Sequence, residues 1–263
     1  MRLLQLSDPH LLADPQGLCR GRQPYRLLEQ ALRQAHDQLQ AAGTPADRLL
    51  ISGDLCQDES WGGYRRLEEL LAASPFADLP PPWLLCGNHD HPLLLRAALG
   101  RQALVAPRTI ETDGWQVLLL DSHRSGAVSG RLGTRQLAWI SAVLAGSSLP
   151  LLVALHHPPG PIGDALLDGI ALEDGGPLLD LLAASDRCRA VVFGHIHQHW
   201  SGCHRSGGRE LPLLGCPSTL CPFPAVQPCP LGRPQDPGGR LLELLPGGEI
   251  RQSLLRWSLP QAS

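Results

Sequence analysis

The sequence predicts an α/β layered fold in a single domain of 263 residues. Short apolar strands alternate with amphipathic helices along most of the chain, an alternation that is typical of sheets covered by helices. No internal repeat and no linker divides the sequence. A chain of this length buries roughly three-quarters of its unfolded surface, so it needs neither a disulfide nor a metal merely to fold. We therefore expect one domain over residues 1–263.

Hydrophobic periodicity defines the elements of the first half. Leucines at positions 27, 28, 32 and 39, with polar residues between them, predict a helix over residues 25–40. Leu67, Leu70 and Leu71 lie on one face of a second predicted helix, and short apolar runs before the helices predict strands. In chain order, strands at 2–6, 48–52 and 83–86 are each followed by a helix, at 25–40, 61–73 and 91–99.

Turn residues and caps define the second half. Asp113-Gly114, between the segments 109–112 and 115–121, predicts a β-hairpin. Thr134 is the predicted N-cap of a helix over 134–145. The remaining predictions are strands at 151–155 and 190–193, a helix at 177–185, a Cys/Pro-rich loop at about 215–239, and a C-terminal β-hairpin at about 240–257.

Composition excludes several classes of protein. Hydrophobic residues make up 43% and charged residues 18% of the chain, which excludes wholesale disorder. No apolar run reaches the roughly 18 residues that a membrane helix needs. The net charge of −3 argues against binding a nucleic-acid polymer through a basic surface. The eight cysteines form no CxxC pair, and no signal sequence precedes the first polar block, so we expect free thiols and a cytoplasmic location.

Asparagine and lysine are almost absent from the sequence. Every basic side chain is arginine, and Asn88 is the only asparagine. We interpret this as a coding bias, by which other residues replace Lys and Asn wherever the protein tolerates the exchange. We therefore expect that Asp, Gln or Ser could not replace Asn88 at its position.

Five short polar blocks carry the chemistry, and each follows a predicted strand. Because the loops beyond the carboxyl ends of strands meet in one crevice, blocks far apart in sequence can supply one site. Asp, Asn and His are ligands that suit Mn, Fe and Zn, and two such metals about 3.5–4 Å apart would clamp the oxygens of a phosphoryl transfer. The blocks are Ser7-Asp8-Pro9-His10, Gly53-Asp54-Leu55, Gly87-Asn88-His89-Asp90, His156-His157-Pro158-Pro159 and Gly194-His195-Ile196-His197.

The five blocks resemble the signature of the calcineurin-like metallophosphoesterases, since they occur in the order D-x-H, G-D, G-N-H-D, H-x-P, G-H-x-H. The segments 152–159, 193–197 and 217–219 resemble, more narrowly, the class III cyclic-nucleotide phosphodiesterases of bacteria. The resemblance covers about residues 1–222 and is expected to include the C-terminal hairpin. It implies a four-layer αββα sandwich, in which two mixed sheets face each other and helices cover both outer faces.

The resemblance also implies two metal ions and a role for each residue of the blocks. A hydroxide that bridges the two metals would attack phosphorus in line. His89 would bind no metal; it would face the phosphate, stabilise charge on its oxygens, and could protonate the leaving alcohol. The metals expected are Mn or Fe, with Zn as an alternative, because no thiolate is among the ligands. One metal would be held by Asp8, His10, Asp54 and His197, and the other by Asp54, Asn88, His156 and His195.

Some positions depart from the family pattern or stay open. Relatives often carry an Asp three residues after the Gly-Asp aspartate, where this chain has Gln57. Which carboxylate, if any, orients His89 is therefore left open, with Asp58 and Asp90 as the candidates. His157 is interpreted as a structural or rim residue, in preference to a substrate contact. Arg20 is interpreted as a plain surface charge, and the cysteines as ordinary thiols in preference to a separate zinc site.

The expected function is that of a binuclear metal-dependent phosphodiesterase. Its substrate would be a 3',5'-cyclic nucleotide or another small phosphodiester, and no nucleic-acid polymer is expected as a partner. A broad-specificity phosphomonoesterase or a nucleotide pyrophosphatase on the same fold is the alternative within enzymes, and a metal-free scaffold is the alternative outside them. A homodimer is left open as the assembly.

Overall fold

The computed structural model describes residues 1–258, and residues 259–263, at the end of the predicted domain, lie outside the described part of the chain. Its strands are β1 (Arg2–Leu6), β2 (Arg48–Ile51), β3 (Trp83–Leu84), β4 (Leu104–Val105), β5 (Arg108–Thr112), β6 (Trp115–Leu119), β7 (Leu151–Ala154), β8 (Cys188–Phe193), β9 (Trp200–Ser206), β10 (Arg209–Gly215), β11 (Gly238–Leu244) and β12 (Ile250–Arg256). Its helices are α1 (Pro24–Ala41), α2 (Trp61–Ala73), α3 (Pro92–Leu99), α4 (Gly133–Ala145), α5 (Ala165–Asp168) and α6 (Gly175–Ala183).

The strands form two six-stranded mixed sheets. The first sheet has the order β12-β11-β1-β2-β3-β4 and the second the order β5-β6-β7-β8-β10-β9. In the first sheet β1, β2, β3 and β4 run parallel, and β11 pairs antiparallel with β1. In the second, β6, β7, β8 and β10 run parallel between the antiparallel edge strands β5 and β9. Parallel strands bring the loops at their carboxyl ends to one edge of each sheet.

Alternate residues of each central strand face opposite layers. Leu4 and Ile51 belong to a core that the first sheet shares with α1, α2 and α3, whereas Leu3 and Leu50 belong to the core between the two sheets. The second sheet packs its outer face against α4 and α6. The expected four-layer αββα sandwich is confirmed. None of the helices within residues 1–258 is long and apolar enough to cross a lipid bilayer.

The predicted cap of α4 is wrong. The helix begins at Gly133, and no side chain of its own first residues caps it. The carboxylate of Asp174 accepts hydrogen bonds from the backbone N–H groups of Leu132 at 3.0 Å and Gly133 at 2.7 Å. Asp174, some forty positions away, thus caps the helix in place of Thr134, because tertiary contacts can replace a local cap.

The hairpin of β9 and β10 was missed in the sequence. Its turn is Gly207-Gly208, and both residues have positive φ. Consecutive glycines between strands are a recognised signal for this turn, so the sequence held the information. Beyond this hairpin, residues 216–237 form the Cys/Pro-rich loop that leads to β11 and β12.

Candidate metal centre

Five loops meet at one edge of the sandwich, where β1, β2 and β3 of one sheet and β7 and β8 of the other end. Each loop carries one of the polar blocks. Of the eight non-glycine residues with positive φ in the described chain, five are predicted ligands: Asp8, His10, Asp54, His195 and His197. Such backbone conformations cost of order 1–3 kcal/mol each and cluster at functional sites.

Two glycines allow these loops to pack directly against one another. A Cβ atom on Gly87 would overlap the backbone nitrogen and the carboxylate of Asp54. A Cβ atom on Gly53 would overlap the ring of His156. Only glycine therefore lets the loops after β2, β3 and β7 approach this closely.

The first cluster of ligand atoms draws on three loops. All its members are almost fully buried, and their ligand atoms lie within 4.8 Å of one another. The Nε2 atoms of His10 and His197 are 3.0 Å apart. The carboxylate of Asp8 lies 3.4 Å from Nε2 of His197 and that of Asp54 lies 3.6 Å from Nε2 of His10. The cluster consists of Asp8, His10, Asp54 and His197.

Hydrogen bonds at the opposite ring nitrogens place the lone pairs. Nδ1 of His197 lies 2.9 Å from the carbonyl oxygen of Cys221, and Nδ1 of His156 lies 2.8 Å from that of Ser52. A carbonyl oxygen can only accept, so in the neutral rings Nδ1 donates its proton there and Nε2 keeps a lone pair. Lone pairs that converge at such distances repel each other unless a positive charge lies between them. The donor set therefore fits a metal cation.

The second cluster adjoins the first through Asp54. Nε2 of His156 lies 3.3 Å from Nδ1 of His195, 3.3 Å from Oδ1 of Asn88 and 3.4 Å from Oδ1 of Asp54. Nε2 of His195 is buried and has no hydrogen-bond partner within residues 1–258. Asp54 thus presents one oxygen to each cluster, the arrangement that a carboxylate bridging two cations requires.

The neighbouring carboxylates hold positive charge at this centre. Burial lowers the pKa of His197, but the charge of Asp8 and hydrogen bonds with Asp8 and Cys221 outweigh burial and raise that pKa to about 10. Asp54 likewise outweighs burial at His156 and raises its pKa to about 9. Burial acts to raise the pKa values of both carboxyls, but these histidines hold them below their usual range.

The other two histidines of the centre stay neutral without a metal. Burial dominates at both, lowering the pKa of His10 to about 4 and that of His195 to about 3. Neighbouring histidines lower both values further. Neutral imidazole is the form that binds a metal.

His157 packs against the second cluster and is fully buried, which favours the structural interpretation over a place at the rim. Its Nε2 donates to the carbonyl oxygen of Val128 at 3.0 Å, and its Nδ1 accepts from the hydroxyl of Ser122 at 2.8 Å. Although its ring is close enough to His156 and His195 to share a cation, no lone pair is left for one. His157 is a structural residue that supports the two rings above it.

Neither candidate carboxylate forms a hydrogen bond with His89 in the described part of the chain. Within residues 1–258 the buried carboxylate of Asp90 accepts from the N–H groups of Leu55, Cys56 and Gly87 and from the hydroxyl of Tyr64. These hydrogen bonds join the loops after β2 and β3. Burial and the charge of Asp54 raise the pKa of Asp90 to about 7.

The carboxylate of Asp58 likewise serves its own loop, accepting from the N–H of Ala13 and the hydroxyl of Ser60. The group next to His89 is an amide. Nε2 of Gln57 lies 3.2 Å from Nδ1 of His89. Sequence reasoning missed the role of Gln57 because its side chain carries no charge and only carboxylates were considered as partners of His89.

Two further residues lie beside His197, and neither was assigned a role in the site from the sequence. The ring of Phe223, in the Cys/Pro-rich loop, stacks on His197 with 4.1 Å between ring centroids. The guanidinium carbon of Arg20 lies over the ring of Phe223, 4.9 Å from its centroid. Arg20 is therefore placed by an aromatic contact and is more than a plain surface charge. In the described chain, the groups able to hold a metal lie at this edge and include no cysteine, so the separate zinc site has no counterpart.

Known proteins resemble this chain over most of its length. The family model of the calcineurin-like phosphoesterases matches residues 1–199. The chain is 47% identical over 263 residues to a probable cyclic nucleotide phosphodiesterase of Synechococcus sp. strain WH7803, covering 98% of this chain and 97% of that protein. It is 36% identical over 258 residues to a 3',5'-cyclic adenosine monophosphate phosphodiesterase of Pseudomonas aeruginosa, covering 97% of this chain and 89% of that protein.

A solved structure shares the fold. A dimetal phosphatase from Danio rerio superposes with a TM-score of 0.69 at 15% identity, covering 98% of this chain and 99% of that chain. At this identity the likeness concerns the arrangement of sheets and helices alone.

Proposed function

The chain belongs to the calcineurin-like phosphoesterase family of metal-dependent hydrolases, and on this premise we propose that it is a binuclear phosphodiesterase acting on a 3',5'-cyclic nucleotide or another small phosphodiester. The observation that carries the proposal is the position of Asp54. One of its oxygens lies 3.6 Å from Nε2 of His10 and the other 3.4 Å from Nε2 of His156. A buried carboxylate shared by two groups of convergent nitrogen ligands suits a pair of cations.

The substrate class is supported by the relatives. Those at 47% and 36% identity, both matched over nearly the whole chain, carry the names of cyclic nucleotide phosphodiesterases. The choice of a cyclic nucleotide over other small diesters rests on these names.

The proposed ligands fall into two sets that share Asp54. When bound, the two ions would neutralise the phosphate and lower the pKa of an attacking water. Mn or Fe suits the oxygen and nitrogen donors, with Zn as the alternative. One ion would be held by Asp8, His10, Asp54 and His197, and the other by Asp54, Asn88, His156 and His195.

Residues of the loop after β3 would handle the phosphate. Asn88 offers a neutral oxygen, which leaves the second position less anionic and more receptive to a phosphate. The backbone N–H of His89 donates to Oδ1 of Asp54 at 2.9 Å, which fixes this loop against the shared carboxylate. The half-buried ring of His89 is then free to donate a hydrogen bond to a phosphate oxygen or to the leaving alcohol.

We also propose that the whole chain acts as one domain in the cytoplasm. Its eight cysteines are free thiols and six of them are buried, which suits a reducing compartment. All seven proposed ligands come from one chain, so a homodimer would not be needed to complete the metal centre.

A hydrolysis panel with a matched pair of variants tests the proposal. Protein reconstituted with Mn²⁺ is assayed on cyclic AMP, a cyclic dinucleotide, a glycerophosphodiester, a chromogenic diester, the corresponding monoester and a nucleotide-sugar. We expect turnover of diesters above that of the monoester, a loss of about a hundredfold or more in Asp54→Asn, and wild-type rates in Asp37→Asn, which changes an exposed carboxylate of α1.

Other outcomes of the panel would favour the alternatives. Preference for the monoester supports a phosphomonoesterase, and preference for the nucleotide-sugar supports a pyrophosphatase. No turnover together with no bound metal supports a scaffold protein.

A further inference from the structure

One amide group connects two histidines that come from different loops. Oε1 of Gln57 lies 2.7 Å from Nδ1 of His10, and Nε2 of Gln57 lies 3.2 Å from Nδ1 of His89. The rings of His10 and His89 meet edge to face with 5.2 Å between their centroids. The backbone N–H of Gln57 donates to the carbonyl oxygen of Leu11 at 2.8 Å, so the amide is held between them.

The chemistry of His10 determines which way the amide points. If Nε2 of His10 binds a metal, as proposed above, the proton of that ring is on Nδ1 and must be donated. The atom of Gln57 that faces His10 is then the carbonyl oxygen. The thiol of Cys19, 3.6 Å from the same oxygen, is a second donor that favours this orientation. The NH₂ group of Gln57 therefore faces His89.

The same orientation determines the tautomer of His89. An NH₂ group can only donate, so Nδ1 of His89 must accept and the imidazole proton lies on Nε2. A carboxylate at position 57 would instead accept from both rings and would place the proton of His89 on Nδ1. In that neutral ring Nε2 would present a lone pair to the anionic phosphate, and only a doubly protonated ring would still donate from Nε2.

We propose that Gln57 is a positioning residue that holds His10 and His89 in opposite tautomers. Through it, His10 keeps the Nε2 lone pair needed for a metal, and His89 keeps an Nε2–H group for a phosphate oxygen. This inference rests on the proposed function, because it takes His10 as a metal ligand and a phosphoester as the substrate.

Nitrogen NMR of the histidine rings tests the inference directly. The protein is loaded with diamagnetic Zn²⁺, and the signals of His10 and His89 are assigned by loss in His10→Ala and His89→Ala. In the wild type we expect the proton of His10 on Nδ1 and that of His89 on Nε2. In Gln57→Glu, which has the same length but only accepts, the proton of His89 is expected to move to Nδ1.

Kinetics give a second readout that a merely structural role would not produce. Gln57→Glu is expected to lower kcat for a diester by about a hundredfold, the scale for losing one donor to the transition state, with little change in KM. Gln57→Ala is expected to lower kcat less than Gln57→Glu does, since it removes the donor without imposing the wrong tautomer. Gln40→Glu, on the exposed face of α1, is the matched control and should keep wild-type kinetics.

Failure of the inference and failure of the proposed function give different results. A wild-type protein that binds metal and cleaves diesters, but has the proton of His89 on Nδ1, overturns the inference alone. So does a Gln57→Glu variant whose tautomers and kcat equal those of the wild type. A wild-type protein that cleaves no diester refutes the proposed function, and the NMR spectra then still decide the two tautomers.

Discussion

The Nε2 atoms of His10 and His197 lie 3.0 Å apart, although His10 follows a strand of one sheet and His197 follows a strand of the other. Nδ1 of each ring faces an oxygen acceptor, an amide for His10 and a backbone carbonyl for His197. The two sheets are therefore joined at this edge by a contact that only a positive charge makes favourable. Metal binding at this point would connect the two halves of the sandwich.

Metal binding is expected to release protons. In the metal-free protein Asp8 and Asp54 raise the pKa values of His197 and His156 to about 10 and about 9. Both rings are then protonated at pH 7.5 and must become neutral to bind a metal, so loading should release about two protons per chain. Titration calorimetry with Mn²⁺ in two buffers of different ionisation enthalpy measures this number. Loading without proton release at pH 7.5 would contradict the assignment of these two ligands.

The same shifts predict how the stability of the metal-free protein depends on pH. Both histidines have folded-state pKa values above the ordinary value of 6.5. The stabilisation that their pairing contributes is complete below pH 6.5 or so and is lost as the pH rises through about 9 and 10. The melting temperature of the metal-free protein should therefore fall between pH 7 and pH 10. The metal-loaded protein should show a smaller fall, and equal falls in the two forms would count against the prediction.

Asn88→Ala is expected to leave the fold nearly intact and to lower activity by at least about tenfold. Asn88 is half-buried, so little packing is lost, but its Oδ1 lies among the ligand atoms of the second cluster. Elemental analysis should find weaker retention of one of two metals. Wild-type turnover in this variant would remove Asn88 from the ligand set.

His89→Ala is expected to keep both metals and to lose activity by about 10²–10⁴-fold, the range for removing a catalytic proton donor or acceptor. Metal content and kcat are measured on the same preparation. His36→Ala, which changes a histidine on α1 far from the site, is the control. If His89→Ala loses a metal, His89 is a ligand and its role in the proposal is wrong.

Gly87→Ala is expected to destabilise the protein by about 1–3 kcal/mol and to weaken metal binding. The added Cβ overlaps the backbone nitrogen and carboxylate of Asp54, so the shared carboxylate has to move. Gly176→Ala, on α6 with open space around the new atom, should lose no stability. Chemical denaturation measures both. Equal stabilities of the two variants would show that the close approach of these loops is not needed.

The sequence was most informative where the chemistry is local. Each polar block directly follows a strand, and parallel strands end at one edge, so the convergence of residues such as Asp8, Asp54 and His195 could be predicted from the motifs. The carboxyl ends of the strands fix where these side chains lie. Their binding of metal stays a prediction.

Contacts between distant segments could not be predicted in this way. Asp174 caps α4, Phe223 stacks on His197, and Gln57 occupies the place given to a carboxylate. No motif or spacing in the sequence predicts these contacts, because each depends on where two distant segments meet after folding. The Gly207-Gly208 turn is different, since its signal was present and was overlooked.

Anomalous diffraction from crystals of the Mn-loaded protein tests the central claim most directly. We predict two anomalous peaks about 3.5–4 Å apart, with the carboxylate of Asp54 contacting both, His10 and His197 at one, and His156 and His195 at the other. A single peak, or two peaks of which Asp54 contacts only one, would contradict the account.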